Sequence, residues 1–148
     1  MANTATGTRI DPYAGFNFRV MIDGITAAGF SECYGLTSET DVIEYREGTD
    51  KSNTVRKLPG LNRFSPIILK RGVTADKALW QWRKLVMEGT IQRSNGSIVL
   101  LGADGNPVNQ WNFTNGWPAK WDGPSFNAKG NAVAIETLEI VHEGLDWA

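Results

Sequence analysis

PYAGFNFRVMIDGITAAGFSECYGL, residues Pro12 to Leu36, holds the clearest structural signal in the chain. Phe16, Phe18, Val20 and Ile22 alternate with Asn17, Arg19, Met21 and Asp23. A period of two marks a β-strand with one buried face and one more polar face. Asp23-Gly24 then offers the turn chemistry of a tight hairpin, with Ile25 to Phe30 as the returning segment. Small residues at Ala27-Ala28-Gly29 suit close backbone packing within or between subunits. The stretch carries no metal ligand set, no phosphate loop and no nucleophile, so it reads as scaffold.

Outward from this hairpin, the pattern stays β-rich. Ser38 to Arg46 reads as a strand, and Glu47 to Asn62, with Gly48, Asp50, Ser52, Asn53, Pro59 and Gly60, as a long loop. Phe64 to Leu69 is a short apolar strand in which Pro66 points to an edge or bulge. One helix stands out. Ala75, Ala78, Leu79, Trp82, Leu85 and Val86 share a face, Thr74 is the expected N-cap, Asp76 suits the positive end of the dipole, and Gly89 terminates. Ser97 to Leu101 and Val108 to Thr114 read as strands joined by the turn Asp104-Gly105-Asn106-Pro107. A bent strand is expected around Trp117 to Trp121. Ala132 to His142 closes the series, with Ala134, Glu136, Leu138, Ile140 and His142 on one face and Val133, Ile135, Thr137, Glu139 and Val141 on the other; both faces are mixed, which suits a strand covered on both sides. The sum is a mainly β fold: two packed sheets in a sandwich or partly closed barrel, with one flanking helix.

A length of 148 residues fits one domain, 1–148, with residues 1–11 as a flexible arm. The net charge of −1 gives no global attraction to nucleic acid or to an anionic membrane. The single cysteine, Cys33, excludes an internal disulfide and reads as a small, partly buried residue. The opening MANTATGTRIDPYAG has no basic n-region and no apolar h-region, which predicts synthesis and folding in the cytoplasm. For the same reason the acceptor patterns Asn95-Gly96-Ser97 and Asn112-Phe113-Thr114 read as coincidence.

Catalytic chemistry is hard to assemble from these residues. His142 is the only histidine, and a second and third oriented group are missing from its surroundings in sequence. No acidic cluster has the spacing of a calcium loop. An enzyme is therefore the weakest of the readings. Six tryptophans raise a carbohydrate-binding β-sandwich as the alternative, with Trp111, Trp117 and Trp121 as the stacking platform. The plainer reading gives these rings to the core and to subunit contacts.

Charge is distributed unevenly. Glu32, Glu39, Asp41, Glu44, Glu47 and Asp50 face only Arg46 in their segment, whereas Lys51, Arg56, Lys57, Arg63, Lys70 and Arg71 follow with no acid among them. These are either two solvated faces of one monomer or complementary patches. In the second case acids on one copy meet bases on the next, a heterologous contact that builds rings or open stacks. The candidate contact residues are Glu39, Asp41, Glu44, Arg46, Glu47, Lys51, Arg56, Lys57 and Arg63. An anion-binding loop for nucleic acid ranks lowest, because Phe64 is the sole aromatic among Arg56 to Lys70.

Taken in order, these segments resemble the inner tube proteins of contractile phage tails and of contractile injection systems. The resemblance is carried by Asp11-Pro12-Tyr13, the strand and turn Phe16 to Gly24, Ala28 to Leu36, Lys57-Leu58-Pro59-Gly60, Ile67 to Gly72, Leu79-Trp80-Gln81-Trp82 and the ending Ile135 to Leu145. It covers nearly the whole chain and leans toward the injection systems. It implies hexameric rings whose strands line a lumen, stacked into a tube inside a contractile sheath and driven through a target envelope. It also implies that the segment Lys51 to Arg63 is the extended loop that packs on neighbouring subunits. The implied partners are further copies of the chain, a sheath protein, baseplate and tube-terminating proteins, and a tape-measure or cargo protein in the lumen. No cofactor, metal or small-molecule substrate is implied. The implied location is a phage tail or tail-like particle made in the bacterial cytoplasm, then released or anchored to a cell.

Overall fold

The structure, a computed structural model, describes residues 11–25 and 29–148. The expected N-terminal arm and most of the Ala27-Ala28-Gly29 packing motif lie outside the described residues. The strands are β1 (Phe18–Ile22), β2 (Glu32–Tyr34), β3 (Ser38–Tyr45), β4 (Arg56–Phe64), β5 (Ile67–Gly72), β6 (Ser94–Leu101), β7 (Pro107–Asp122), β8 (Ile135–Val141) and β9 (Gly144–Trp147). The helix α1 (Ala78–Met87) sits between β5 and β6.

Six strands form one path, β1-β6-β7-β8-β5-β2, and β9 joins it on β7 as the seventh. The path is open, ending at β1 and β2, so the monomer is not a closed barrel. β7 serves two layers. Its first half pairs β6 and β9, and its second half pairs β8. Asn115, at a φ of 52°, marks the bend between the halves. The predicted strands Val108 to Thr114 and Trp117 to Trp121 are thus one long strand. Gly116 lies at the bend because a side chain there would strike Phe113 and Ile140.

The alternation read in Phe16 to Ile22 is real: Val20 and Ile22 are buried, while Arg19 and Met21 are exposed. Phe16, however, lies outside the strand and is exposed. The tight turn also forms, with Gly24 at a φ of 77° and the Ile25 N–H donating to the Ile22 carbonyl. Most of the rest of the expected return, Thr26 to Ala28, lies outside the described residues. Beyond one bridge from Ile22 to Ile25, β1 pairs with β6, from Phe18 opposite Leu100 to Ile22 opposite Gly96. The apolar face of β1 gains burial by joining a central strand.

One contiguous core joins the layers and the helix. Val20, Ile22, Ile98 and Phe113 come from one layer, Ile67, Leu69, Leu138 and Ile140 from the other, and Leu79 and Trp82 from α1. Burying each such side chain contributes on the order of 1.5–3 kcal/mol. The Trp82 indole N–H is satisfied by the Gln92 carbonyl at 2.9 Å. On β8, Glu136, Leu138 and Ile140 point inward and His142 just beyond it is buried with them, while the other face is only half-buried, so the strand is not covered equally on both sides.

The helix starts later than expected. Thr74 does not cap it. Instead the Thr74 hydroxyl accepts from the Asp76 N–H, and the Asp76 carboxylate accepts from the Ala78 N–H at 2.9 Å. That bond, followed by the Arg71 guanidinium, holds the Asp76 carboxyl below its usual range. Gly89, at a φ of 92°, ends the helix as read, its N–H donating to Val86.

The larger correction concerns Glu47 to Asn62. Its second half is not loop: β4 runs through Pro59 and Gly60 and pairs with β3 as a separate two-stranded sheet. A bulge between Thr40 and Val42 brings Pro59 opposite Val42. The missing N–H of proline costs little in a sheet with no third strand. Glycine at 60 keeps the bulge uncrowded, since a Cβ there would lie 3.1 Å from the Asp41 carbonyl oxygen. Phe64 consequently ends β4, and Ser65-Pro66 separates it from β5.

Candidate assembly surface

Every residue of the β3–β4 hairpin is exposed or half-buried, and none belongs to the core. Both faces carry apolar side chains. Val42 is 63% exposed on the face that also carries Pro59, and Leu61, just past the bulge, is 73% exposed. Ile43 and Leu58 sit directly opposite each other on the reverse face, with Tyr45 beside them. An isolated two-stranded hairpin is marginal in water. Exposed cross-strand ion pairs and the Ile43–Leu58 pair link its two strands.

Here the charged segments meet within one chain. Arg63 Nε lies 2.9 Å from both carboxylate oxygens of Asp41. Lys57 reaches Glu44 at 3.2 Å, directly across the ladder. Arg56 reaches Asp50 at 2.7 Å and Glu47 at 3.9 Å. Arg46 donates to the carbonyls of Ser52 and Asp50, and the Glu47 N–H donates to the Asp50 carboxylate, which shapes the turn. Glu39 stands opposite Arg63 in register, and Lys51 is exposed in the turn. The nine residues singled out by charge therefore lie on one hairpin, and its acid strand faces its base strand. Reading Glu47 to Asn62 as loop concealed this. The apolar side chains between the charges were the stronger signal of a contact surface.

The candidates for chemistry are engaged in structure. The ring nitrogens of His142 lie 2.9 Å from the Gly144 carbonyl and 3.2 Å from that of Ser65, and its ring packs on Phe64 and Phe113. Burial pushes the Cys33 thiol up to about 11, the reverse of what a nucleophile needs. Trp111 stacks on Trp147 at 5.5 Å and Trp121 packs on Trp80 at 4.9 Å, while Trp117 is half-buried. Two of the three rings offered for sugar stacking thus have a face taken by another tryptophan. Among the described residues no group of three or more His, Cys, Asp or Glu could hold a metal.

The model of the T4-like virus tail tube protein gp19 family matches residues 14–146. The chain belongs to that family. This is a family of structural tube proteins, not enzymes. The tail tube fold recurs in solved structures. A chain of the PVC sheath-tube complex, from an extracellular contractile injection system in the extended state, matches with a TM-score of 0.83 and 24% identity over 93% of this chain and 91% of that one. A chain of the anti-feeding prophage tube-terminating cap matches with a TM-score of 0.82 and 26% identity over 100% and 99%. Hcp1 from Flavobacterium johnsoniae is more distant, with a TM-score of 0.51 and 16% identity over 87% and 94%. No curated protein matches the chain in sequence. No helix among the described residues is long and apolar enough to cross a membrane.

Proposed function

We propose that this tail tube protein closes into hexameric rings that stack into the inner tube of a contractile injection system, with the β3–β4 hairpin as the arm that reaches a neighbouring subunit. The observation that carries the reading is the hairpin itself. It projects Val42, Ile43, Leu58 and Leu61 into solvent from a chain otherwise built around one core. Exposed apolar surface of this kind marks a contact site. The ion pairs along the same ladder keep the arm in register before it docks, and rim charges such as Glu39 and Lys51 steer the approach. The solved relatives come from a sheath-tube complex, a baseplate and a tube cap. Those assemblies support sheath, baseplate and cap proteins as partners, within a tail-like particle that is released or cell-anchored.

Electron microscopy of the purified protein, alone and with its sheath and baseplate proteins, tests this. Wild type should give rings or tubes. Leu61→Asp with Val42→Asp should leave the monomer's circular dichroism and thermal transition intact while abolishing rings. Rings in the double variant would remove the hairpin from the interface. Wild type that stays monomeric under every condition would remove the tube reading.

A further inference from the structure

We infer that His142 is a proton-operated clasp on the β3–β4 hairpin. With a proton on each ring nitrogen it ties the hairpin root to the β8–β9 turn; with one proton it releases the root. The consequence for assembly rests on the docking role proposed above for the hairpin.

The geometry calls for two donors. His142 Nδ1 lies 2.9 Å from the Gly144 carbonyl oxygen, and Nε2 lies 3.2 Å from that of Ser65. A carbonyl oxygen only accepts, so each contact is a hydrogen bond only where the ring nitrogen carries a proton. A neutral imidazole has one N–H and one lone pair. It satisfies one carbonyl and aims its lone pair at the other. Only the doubly protonated ring donates to both. Burial works against that charge and the two acceptors work for it, so neither state meets every demand.

The two ends of the clasp are not held equally. On the Gly144 side, the Glu143 N–H donates to the Thr114 carbonyl at 3.0 Å, and Gly144 pairs with Thr114 in the ladder. Phe113 of the same strand packs on the ring at 5.9 Å. The Ser65 side has less to hold it. Among the described residues β3 and β4 pair only with each other, so the direction of the hairpin is set at its roots. Phe64 packs on the imidazole at 5.5 Å, and Ser65-Pro66 leads straight into β5. The Gly144 contact is also the shorter. A ring left with one proton therefore keeps it on Nδ1 and turns a bare Nε2 toward Ser65. The root comes loose, and the turn stays.

No second titrating group shares the ring's immediate surroundings. Among the described residues its hydrogen-bond and ring contacts are Phe64, Ser65, Phe113 and Gly144. Charged residues on the same elements are engaged elsewhere or exposed. Arg56, Lys57 and Arg63 form ion pairs along the hairpin, Glu139 and Asp122 flank Lys120, and Glu143 and Asp146 face solvent. His142 is the only histidine in the chain, and histidine is the side chain whose charge ordinarily changes between about pH 5 and 8. A proton held by two acceptors in the folded arm strengthens the clasp on the acid side, and that strength is lost as pH rises.

The test follows isotope-labelled ring nitrogens of dispersed wild-type subunits by NMR between about pH 5 and 8. At the acid end both nitrogens should carry protons. As pH rises Nε2 should lose its proton while Nδ1 keeps it, and the Phe64 and Ser65 amide signals should move with the same midpoint while that of Thr114 stays. Loss from Nδ1 first, or a ring that titrates without moving Phe64 and Ser65, would overturn the clasp. So would a ring that keeps one state throughout. Tube formation, followed by light scattering, should fall at least about tenfold across that midpoint, the worth of one hydrogen bond to a charged group. His142→Gln, which cannot titrate, should lose the step; a step of unchanged size in the folded variant would overturn the control of assembly. Wild type that forms no tubes at any pH would instead strike the tube reading, and the ring and amide signals would still decide the clasp.

Discussion

Arg71 Nε donates to Glu136 Oε1 at 2.7 Å, and both side chains lie inside the fold, at 2% and 8% exposure. The same guanidinium reaches the Asp76 carboxylate at 3.3 Å and the Asp76 carbonyl at 3.2 Å. One cation therefore joins β5, β8 and the lead-in to α1. Glu136→Ala would leave the buried guanidinium with Asp76 as its remaining partner and should cost about 3 kcal/mol in urea unfolding. Replacing both partners, as Arg71→Met with Glu136→Leu, should recover most of that loss. Equal destabilisation by the single and double variants would show that the pair is not what holds the junction.

Asp76 sets an acid limit on the same junction. Its carboxyl is held low, first by the Ala78 N–H and then by Arg71. A group depressed on folding contributes stability above its unfolded value, near 3.9, that fades as pH falls through the folded value. Thermal melts of wild type should weaken on acidification below about pH 4, and Asp76→Asn should flatten that limb while leaving the neutral-pH slope alone. An acid limb of unchanged steepness in Asp76→Asn would assign it to other carboxylates.

Gly35 holds a φ of 99°, and a Cβ there would collide with the Pro66 carbonyl oxygen. Gly35→Ala combines backbone strain with a backbone clash and should lose at least about 1–3 kcal/mol. Gly105, also at positive φ but with open space around it, serves as the comparison. Its alanine variant should lose only the conformational part, about 1 kcal/mol. Equal losses would show that Pro66 moves aside.

Cys33 should be a slow thiol. Raising its pKa from 9.0 to about 11 lowers the thiolate fraction near neutral pH roughly a hundredfold. Alkylation of native protein at pH 8 should be slower than in denaturant by about that factor. Comparable rates would mean that the site opens easily.

Charge reversal on the hairpin has a specific expected pattern. Lys57→Glu places like charges across the ladder from Glu44 and should impair assembly more at low salt than at high. Adding Glu44→Lys restores the pair with its direction reversed. Recovery of assembly in the double variant, followed by light scattering, would give these charges a role in shaping the arm. No recovery would mean that a neighbouring copy reads their sign.

Much of the layered β fold is legible locally. The alternation in Phe18 to Ile22 and the helical spacing of Leu79 and Trp82 each report burial of one face, whereas the mixed faces of Ile135 to Val141 hide which one is buried. Partners that are distant in sequence are not legible. Nothing in Phe18 names Leu100, and nothing in Arg71 names Glu136, because register is set by tertiary packing. β4 was hidden by Pro59 and Gly60, which signal loop wherever a third strand must pair. β9 was hidden by its length: Gly144–Trp147 is too short for a period to show. At the candidate surface, composition exposed the charge split, but only the hairpin topology shows that the charges answer one another within one chain.

β7 gives the subunit a mechanical property. A strand shared by both layers is a single covalent spar, from Pro107 in the layer of β6 and β9 to Asp122 in the layer of β8. A shove applied to one layer travels to the other along peptide bonds as well as across side-chain contacts. Shearing the layers apart would mean straightening the backbone at Asn115 and Gly116, where Phe113 and Ile140 fill the bend. A tube made of such units would fail between subunits before it failed within one.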